Sequence, residues 1–128
     1  MKPAVLFILL LSITATTNAM DIYEEIANAI RSGDSKQIAT YFSSSIELTI
    51  LNQEGGYSKA QAELIVKDFL AKNVPKQFTI LHKGSSKEGT LYAIGSMITS
   101  TGKIFRASYF IKMTGGKYLI QELRFESQ

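Results

Sequence analysis

The sequence predicts an α+β domain in which helices near its start pack on a mostly antiparallel sheet. Three helix-start signals occur before residue 62. From residue 78 onward, apolar and polar residues alternate with the period of a β-strand. Short turns that contain glycine divide this second region at the spacing of β-hairpins. Together these observations predict one domain with the element order α-α-β-α-β-β-β-β.

Each helix start combines a capping side chain with Glu or Gln three residues later. Both side chains can then bind backbone N–H groups that have no partner at a helix N-terminus. The three pairs are Asp21 with Glu24, Asp34 with Gln37, and Ser58 with Gln61. Apolar residues follow at helical spacing, and Gly33 is placed to end the first helix.

Five strands are predicted, one before the third helix and four after it. The first covers residues 46–50 and ends near Gly55-Gly56, which we interpret as a turn. The others cover residues 78–83, 91–99, 104–113 and 118–125. Thr101-Gly102 and Gly115-Gly116 have the length of two-residue hairpin loops.

These two loops assign side chains to the faces of the sheet, because successive residues of a strand point to opposite sides. One face then carries Tyr92, Ile94, Ile98, Phe105, Tyr109, Ile111, Tyr118, Ile120, Glu122 and Arg124. The other carries Leu91, Ala93, Gly95, Met97, Arg106, Ser108, Phe110, Lys112, Leu119, Gln121, Leu123 and Phe125. We assign the second face to the helices, because small residues at its middle permit close approach. An error of one residue in either loop would exchange the sets.

The face assigned away from the helices is unusually apolar for a solvated side of a sheet. It is rich in tyrosine and isoleucine, and tyrosine is favoured at interfaces where one end of the side chain remains in water. We therefore predict a homodimer or partner surface there. Its predicted residues are Tyr92, Ile94, Tyr109, Ile111, Tyr118 and Ile120.

Composition excludes several kinds of site. The chain has no cysteine and one histidine, so disulfides, thiolate metal sites and multi-histidine sites are excluded, and we predict neither a metal nor a cofactor. The net charge of +3 is not gathered into a basic block, so nucleic-acid binding is not expected. His82 is predicted to be a half-buried residue at a strand end.

Residues 1–19 have the pattern of a secretory signal peptide: Lys2, an apolar run over residues 4–13, and small residues before Met20. The run of 10 residues is about half of the roughly 20 needed to span a bilayer. We predict cleavage after Ala19, export to the periplasm or beyond the cell, and a single domain at residues 20–128 with no membrane span. The alternative is a buried N-terminal helix.

Several segments together resemble a known family of small exported proteins, catalogued as domain of unknown function 4783. They are DIYEEIANAI at residues 21–30, Gly33-Asp34, Tyr41-Phe42, GYSKAQ at residues 56–61, VKDFL at residues 66–70, and Gly95. The order of three helices and a sheet also resembles the nuclear transport factor 2-like superfamily, which has a cystatin-like cone. The resemblance covers nearly all of residues 20–128 and implies three N-terminal helices on a curved sheet.

That superfamily includes enzymes, binding modules and scaffolds, so the resemblance does not decide the activity. Its isomerases and cyclases use an acidic general base with a group that stabilises an oxyanion. This chain departs from that pattern, since no Asp follows Asp68. Glu47 alternates with Ile46 and Leu48, which predicts that it faces solvent. We predict no catalytic residue.

Five residues are candidates for ligand binding: Tyr23, Tyr41, Arg106, Ser108 and Gln121. The two tyrosines lie on the first two predicted helices. The other three come together on the helix-facing side of the sheet by the pairing above. A buried arginine needs an acceptor, and an anionic ligand would supply one. Alternatively, Arg106 reaches the sheet edge and pairs with a surface carboxylate.

Three functions remain open at this point. The first is an exported, non-catalytic module that binds a small molecule or a protein partner, as a homodimer through the sheet. The second is an isomerase or cyclase that uses Tyr23 or Tyr41 with an acid not yet located. The third is a structural or assembly protein that uses its tyrosine-rich sheet face.

Overall fold

Two short helices, a β-hairpin and a third helix precede four long strands in residues 21–128, the part of the chain that the computed structural model describes. The helices are α1 (Ile22–Ser32), α2 (Ser35–Ala39) and α3 (Lys59–Lys72). The strands are β1 (Phe42–Ile50), β2 (Gln53–Ser58), β3 (Pro75–Ser85), β4 (Leu91–Thr99), β5 (Ile104–Thr114) and β6 (Lys117–Ser127). The predicted signal segment, residues 1–19, lies outside this part.

All six strands form one sheet in the order β2-β1-β6-β5-β4-β3. Only the β1–β6 pair is parallel among these strands, so the prediction of a mostly antiparallel sheet is confirmed. No helix within residues 21–128 has the length and apolar content to cross a bilayer.

The strand β2 was not predicted, because its two glycines were interpreted as a turn. Gly55 instead pairs with Leu48, and Gly56 pairs with Glu47. The chain reverses direction at Leu51, whose φ of 57° lies in the left-handed region. The observed element order is therefore α-α-β-β-α-β-β-β-β.

The three predicted helix starts are confirmed. Asp21 accepts a hydrogen bond from the Glu24 N–H at 2.9 Å, and Asp34 caps α2 in the same way. Ser58 and Gln61 form a reciprocal capping box. The first helix ends at Gly33, whose φ of 67° is favourable for glycine.

The helices cover one side of the sheet and form the core with it. α1 supplies Ile26 and Ile30, and α3 supplies Val66 and Phe69, all of them buried. The ring of Phe69 lies 5.3 Å from that of Phe105 and 5.0 Å from that of Phe125, centroid to centroid. These apolar contacts join α3, which packs against β1 and β2, to the neighbouring strands β6 and β5.

α1 is also held to β3 by a hydrogen bond near each of its ends. The Tyr23 hydroxyl donates to the carbonyl oxygen of Gly84 at 2.8 Å. Arg31 Nε donates to the carbonyl oxygen of Phe78 at 2.8 Å, and its guanidinium lies 5.9 Å from the centroid of the Phe78 ring. The first turn of α1 therefore has a fixed position against the sheet.

Among the register shifts of the sheet, two one-residue β-bulges set the side to which residues near the first turn of α1 point. In β6, Gln121 is an extra residue, since Ile111 pairs with Ile120 but Phe110 pairs with Glu122. In β3, Leu81 is an extra residue, since Ile80 pairs with Gly95 but His82 pairs with Ile94. Beyond each bulge, the alternation continues with its phase reversed.

The predicted face sets are correct for β4 and wrong for β5. The β4–β5 connection is longer than a two-residue loop, because the Thr99 N–H donates to the Lys103 carbonyl at 2.9 Å and Ile98 pairs with Ile104. Tyr109 therefore pairs with Ala93 rather than with Ile94. The helix-facing residues of β5 are Phe105, Ala107, Tyr109 and Ile111, all buried.

We call the opposite side of the sheet the outer face. Its residues on the three central antiparallel strands are Tyr92, Ile94, Ser96, Ile98, Ile104, Arg106, Ser108, Phe110, Lys112, Glu122, Arg124 and Glu126. The predicted pairing of Met113 with Tyr118 is confirmed. Tyr109 pairs with Leu123 and not with Glu122, because the Gln121 bulge intervenes.

Gly95 allows close packing inside the sheet rather than the approach of a helix. A Cβ atom at this position would lie 2.5 Å from Phe78 Cζ and 2.7 Å from the Thr79 carbonyl oxygen. The Phe78 ring therefore occupies the space that a side chain would need, and it is itself buried. Any larger residue must displace this ring or the neighbouring backbone.

We predict that Gly95→Ala destabilises the domain by about 1–3 kcal/mol, the usual cost of overpacking a core. The neighbouring Ser96 is half-buried on the outer face. Ser96→Ala should change the free energy of unfolding by less than about 0.5 kcal/mol. Urea unfolding followed by circular dichroism measures both. Equal effects of the two substitutions would contradict the role given to Gly95.

Candidate functional site

An open cleft of about 720 Å³ lies where the first turn of α1, the corner between α2 and β1, and the β5–β6 hairpin meet. Its size falls within the range of small-molecule sites, roughly 300–1,000 Å³. It is lined by Asp21, Ile22, Tyr23, Glu25, Thr40, Tyr41, Leu91, Lys117, Tyr118 and Leu119. Most of this lining is aromatic or aliphatic, with a few charged groups at defined positions.

Asp21, Tyr23 and Lys83 form a charged and aromatic group on one side of the cleft. Lys83 Nζ lies 3.3 Å from Asp21 Oδ2 and 5.3 Å from the centroid of the Tyr23 ring. The hydrogen bond from the Glu24 N–H, and then Lys83, lower the pKa of Asp21. Burial raises the pKa of Tyr23, and the charge of Asp21 acts in the same direction while that of Lys83 opposes it.

Tyr41 and Glu25 form the neighbouring part of the wall. Burial raises the pKa of the half-buried Tyr41, and the negative charge of Glu25 raises it further. The carboxylate of Glu25 therefore acts electrostatically on the Tyr41 phenol. The backbone of Tyr41 is fixed as well, since its carbonyl oxygen accepts a hydrogen bond from the Ile120 N–H at 2.6 Å.

Beneath the cleft, Tyr109 fills the space between the sheet and α1. Its side chain is fully buried, and its hydroxyl donates to the carbonyl oxygen of Tyr23 at 2.8 Å. Burial raises the pKa of this phenol strongly. The Phe78 ring lies 6.4 Å from that of Tyr109. These side chains occupy the space below α1, so the cleft lies at the rim of the helix–sheet core.

The structure brings two of the five predicted ligand-binding residues together. Tyr23 and Tyr41 both line the cleft. Arg106 and Ser108 lie on the outer face instead, because the pairing of β4 with β5 differs from the predicted one. Gln121 is the bulge residue of β6, and its amide nitrogen lies 3.4 Å from the Thr114 hydroxyl. The prediction that these three residues meet on the helix-facing side is wrong.

The six predicted interface residues also divide. Tyr92 and Ile94 are half-buried on the outer face, where they were expected. Tyr109, Ile111 and Ile120 are fully buried in the core, so their placement on an external surface is wrong. Tyr118 lines the cleft and has 41% of its surface exposed. The β4–β5 loop and the Gln121 bulge together explain these differences.

The sequence did not reveal the part played by Glu25, Lys83 or Lys117. Glu25 occupies a helix first turn, where acidic residues are common for reasons of stability. Lys83 reaches Asp21 only because the Leu81 bulge reverses the side to which it points. Lys117 lies next to a hairpin turn, which predicts exposure and nothing more specific.

The remaining candidates for chemistry lie at the surface. Glu47 is exposed, as its alternation with buried neighbours predicted. His82 is exposed rather than half-buried, because it follows the bulge residue and points to the outer face. Within residues 21–128, no Asp or Glu side chain is buried. In the same residues, no group of three or more His, Asp or Glu side chains is arranged to hold a metal ion.

The arrangement of helices and sheet defines a cystatin-like, nuclear transport factor 2-like fold. A domain of unknown function with a cystatin-like fold from Nostoc punctiforme PCC 73102 matches 83% of this chain and 72% of its own, with a TM-score of 0.63 and 10% identity. A protein of the NTF2-like family from Streptomyces avermitilis matches 83% of this chain and 90% of its own, with a TM-score of 0.62 and 10% identity.

Within this fold, the chain belongs to the family described as domain of unknown function (DUF4783), whose model matches residues 23–126. A solved DUF4783 family protein from Bacteroides uniformis ATCC 8492 is 23% identical. That match covers 84% of this chain and 98% of the Bacteroides chain, with a TM-score of 0.78. No curated protein matches the chain.

We predict that Tyr109→Phe lowers the free energy of unfolding by about 0.5–1.5 kcal/mol at pH 7, through the loss of one buried hydrogen bond. In this variant, the free energy of unfolding should also fall less than in the wild type as the pH rises into the alkaline range. The unfolded tyrosine titrates near pH 10, and the pKa of Tyr109 in the folded state is higher. The stability that depends on its neutral form is therefore complete below about pH 10 and falls as the pH rises further.

Urea unfolding at pH 8 and pH 11 measures this effect in both proteins. The wild type should lose more stability over this interval than Tyr109→Phe, by up to about 1.4 kcal/mol per pH unit above pH 10. Tyr23 and Tyr41 keep a smaller dependence of the same sign in the variant, since their pKa values are also raised. An identical loss in the two proteins would contradict the assignment.

Proposed function

We propose that this protein is an exported, non-catalytic binding module that holds a small ligand in the cleft beside α1. The single observation that carries this proposal is the cleft itself, with an aromatic and aliphatic wall and few charged groups. Its wall is formed by elements that are fixed by other contacts. The Tyr23 hydroxyl donates a hydrogen bond to the Gly84 carbonyl of β3, and the Tyr41 carbonyl accepts one from the Ile120 N–H of β6. Such a preformed, mostly apolar concavity is typical of ligand sites.

We propose in addition that the outer face joins two copies of the domain. Four of its residues form an apolar strip that is half-buried within one chain: Tyr92, Ile94, Ile98 and Phe110. Ile104 continues this strip with 46% of its surface exposed. The same face carries charges of both signs, which allows ion pairs with a second copy of the domain.

Arg124 and Arg106 differ in a way that supports this arrangement. Arg124 is bound by carboxylates of its own chain, with Nε 2.6 Å from Glu122 and NH2 3.2 Å from Glu54. The exposed Arg106 has no ion pair within residues 21–128. A carboxylate of a second copy would supply its acceptor.

Native mass spectrometry of the protein purified from its own exporting cell tests the binding function. The expected species is a dimer of chains with the mass of residues 20–128, carrying an added mass that is lost on denaturation. Tyr118→Ala, at the exposed edge of the cleft, should reduce the fraction that carries this mass. Leu64→Ala, on α3 and 65% exposed, should leave it unchanged.

Each part of the proposal has a result that contradicts it. Chains without added mass contradict ligand retention, and chains that keep residues 1–19 contradict cleavage and export. An added mass that survives Tyr118→Ala but is lost in Leu64→Ala places the ligand elsewhere.

For the outer face, we predict that Ile94→Lys raises the dissociation constant of the dimer by about tenfold or more. The ammonium would have to leave water inside the contact, and a cost of about 1.4 kcal/mol already gives a factor of ten. Leu64→Lys adds the same charge away from the sheet and should leave the constant unchanged. Sedimentation velocity measures both proteins, and a monomeric wild type would overturn the assignment of this face.

A further inference from the structure

We propose that the ligand of the cleft carries a positively charged amine, which binds between the carboxylate of Glu25 and the ring of Tyr41. This inference rests on the proposed function and specifies the class of ligand. The apolar body of such a ligand would lie against Ile22, Leu91 and Leu119, which line the same cleft. The ligand class is therefore an organic amine with an aliphatic or aromatic body.

The first support is an ammonium group that the protein itself places beside the cleft. Lys83 Nζ is held by the carboxylate of Asp21 at 3.3 Å and lies 5.3 Å from the centroid of the Tyr23 ring. A carboxylate and an aromatic ring together favour a cation, because both present negative potential to it. This group shows how the local geometry accommodates an amine.

The second support is a similar pair of groups that lacks a cation. Glu25 and Tyr41 line the same cleft, and the charge of Glu25 acts on the Tyr41 phenol. Glu25 is half-buried, yet its carboxylate has no ion pair or hydrogen bond within residues 21–128. A carboxylate without a partner in the protein gains from a cationic ligand that reaches it.

The other charges around the cleft are either paired or exposed to solvent. Lys83 is paired with Asp21, so these two residues contribute little net charge. Lys117 is the lysine of the lining; it is exposed, and it forms no ion pair within residues 21–128. In water its field is strongly screened. Among the described residues, Glu25 is therefore the lining carboxylate that is left for a cationic ligand.

Three probes of nearly equal size separate charge from shape: hexylammonium, hexanol and hexanoate. Each is titrated into the ¹⁵N-labelled processed protein at pH 7, and the backbone amide shifts of the cleft residues report binding. Hexylammonium should bind more tightly than hexanol, and hexanoate should bind most weakly. Glu25→Gln should weaken the binding of hexylammonium by about tenfold and leave that of hexanol unchanged.

Glu63→Gln is the matched control, because Glu63 is also half-buried and lies on α3, away from the cleft. It should not change the affinity for any probe. Lys117→Gln removes the lysine of the lining and should strengthen the binding of hexylammonium by a factor of two or more. An unchanged amide spectrum away from the substitutions shows that each variant is folded.

The possible outcomes separate this inference from the proposed function. Preference for hexylammonium that is lost in Glu25→Gln supports both. Equal or tighter binding of hexanol or hexanoate in the cleft overturns the amine and leaves a cleft that binds ligands. Absence of cleft shifts with all three probes overturns the amine, and native mass spectrometry then decides separately whether the cleft holds another ligand.

Discussion

The arrangement of this domain depends on two one-residue bulges in the sheet, at Leu81 in β3 and at Gln121 in β6. Each reverses the side to which the following residues point. Without the first bulge, Lys83 would face outward and could not meet Asp21. Without the second, Leu119 rather than Tyr118 would face the helices. Both bulges therefore direct side chains toward the first turn of α1: Tyr118 lines the cleft, and Lys83 holds the lining residue Asp21.

The packing beneath α1 explains why the candidate site lies at the rim of the core. The buried Tyr109 hydroxyl donates a hydrogen bond to the backbone carbonyl of Tyr23. At the other end of the helix, Arg31 donates one to the backbone carbonyl of Phe78. Phe78 in turn fills the space above Gly95. Because these contacts leave α1 little freedom, the side chains of its first turn have fixed positions. Concave surface then remains beside the first turn of the helix.

The sequence predicted features that depend on neighbouring residues and missed those that depend on pairing. Helix starts such as Ser58 with Gln61 were found, because a cap is formed within one turn. The strand β2 was missed, because Gly55 and Gly56 suit a turn unless another strand pairs with them. The bulge at Gln121 is indicated by one feature of the sequence. Ile120 and Leu123 are both apolar and are three residues apart, which breaks the alternation of a regular strand.

The acidic first turn of α1 serves both the helix and the cleft. A helix N-terminus favours negative charge, so acidic residues there stabilise the helix. Asp21 acts as the cap, and Glu24 lies 3.4 Å from Arg31. Glu25 takes part in neither of these contacts. The helix N-terminus favours its negative charge, so the fold tolerates this carboxylate without an ion pair within residues 21–128. The same residue is thereby available to a ligand. Its place in the first turn of the helix already explains why the cleft carries a negative charge.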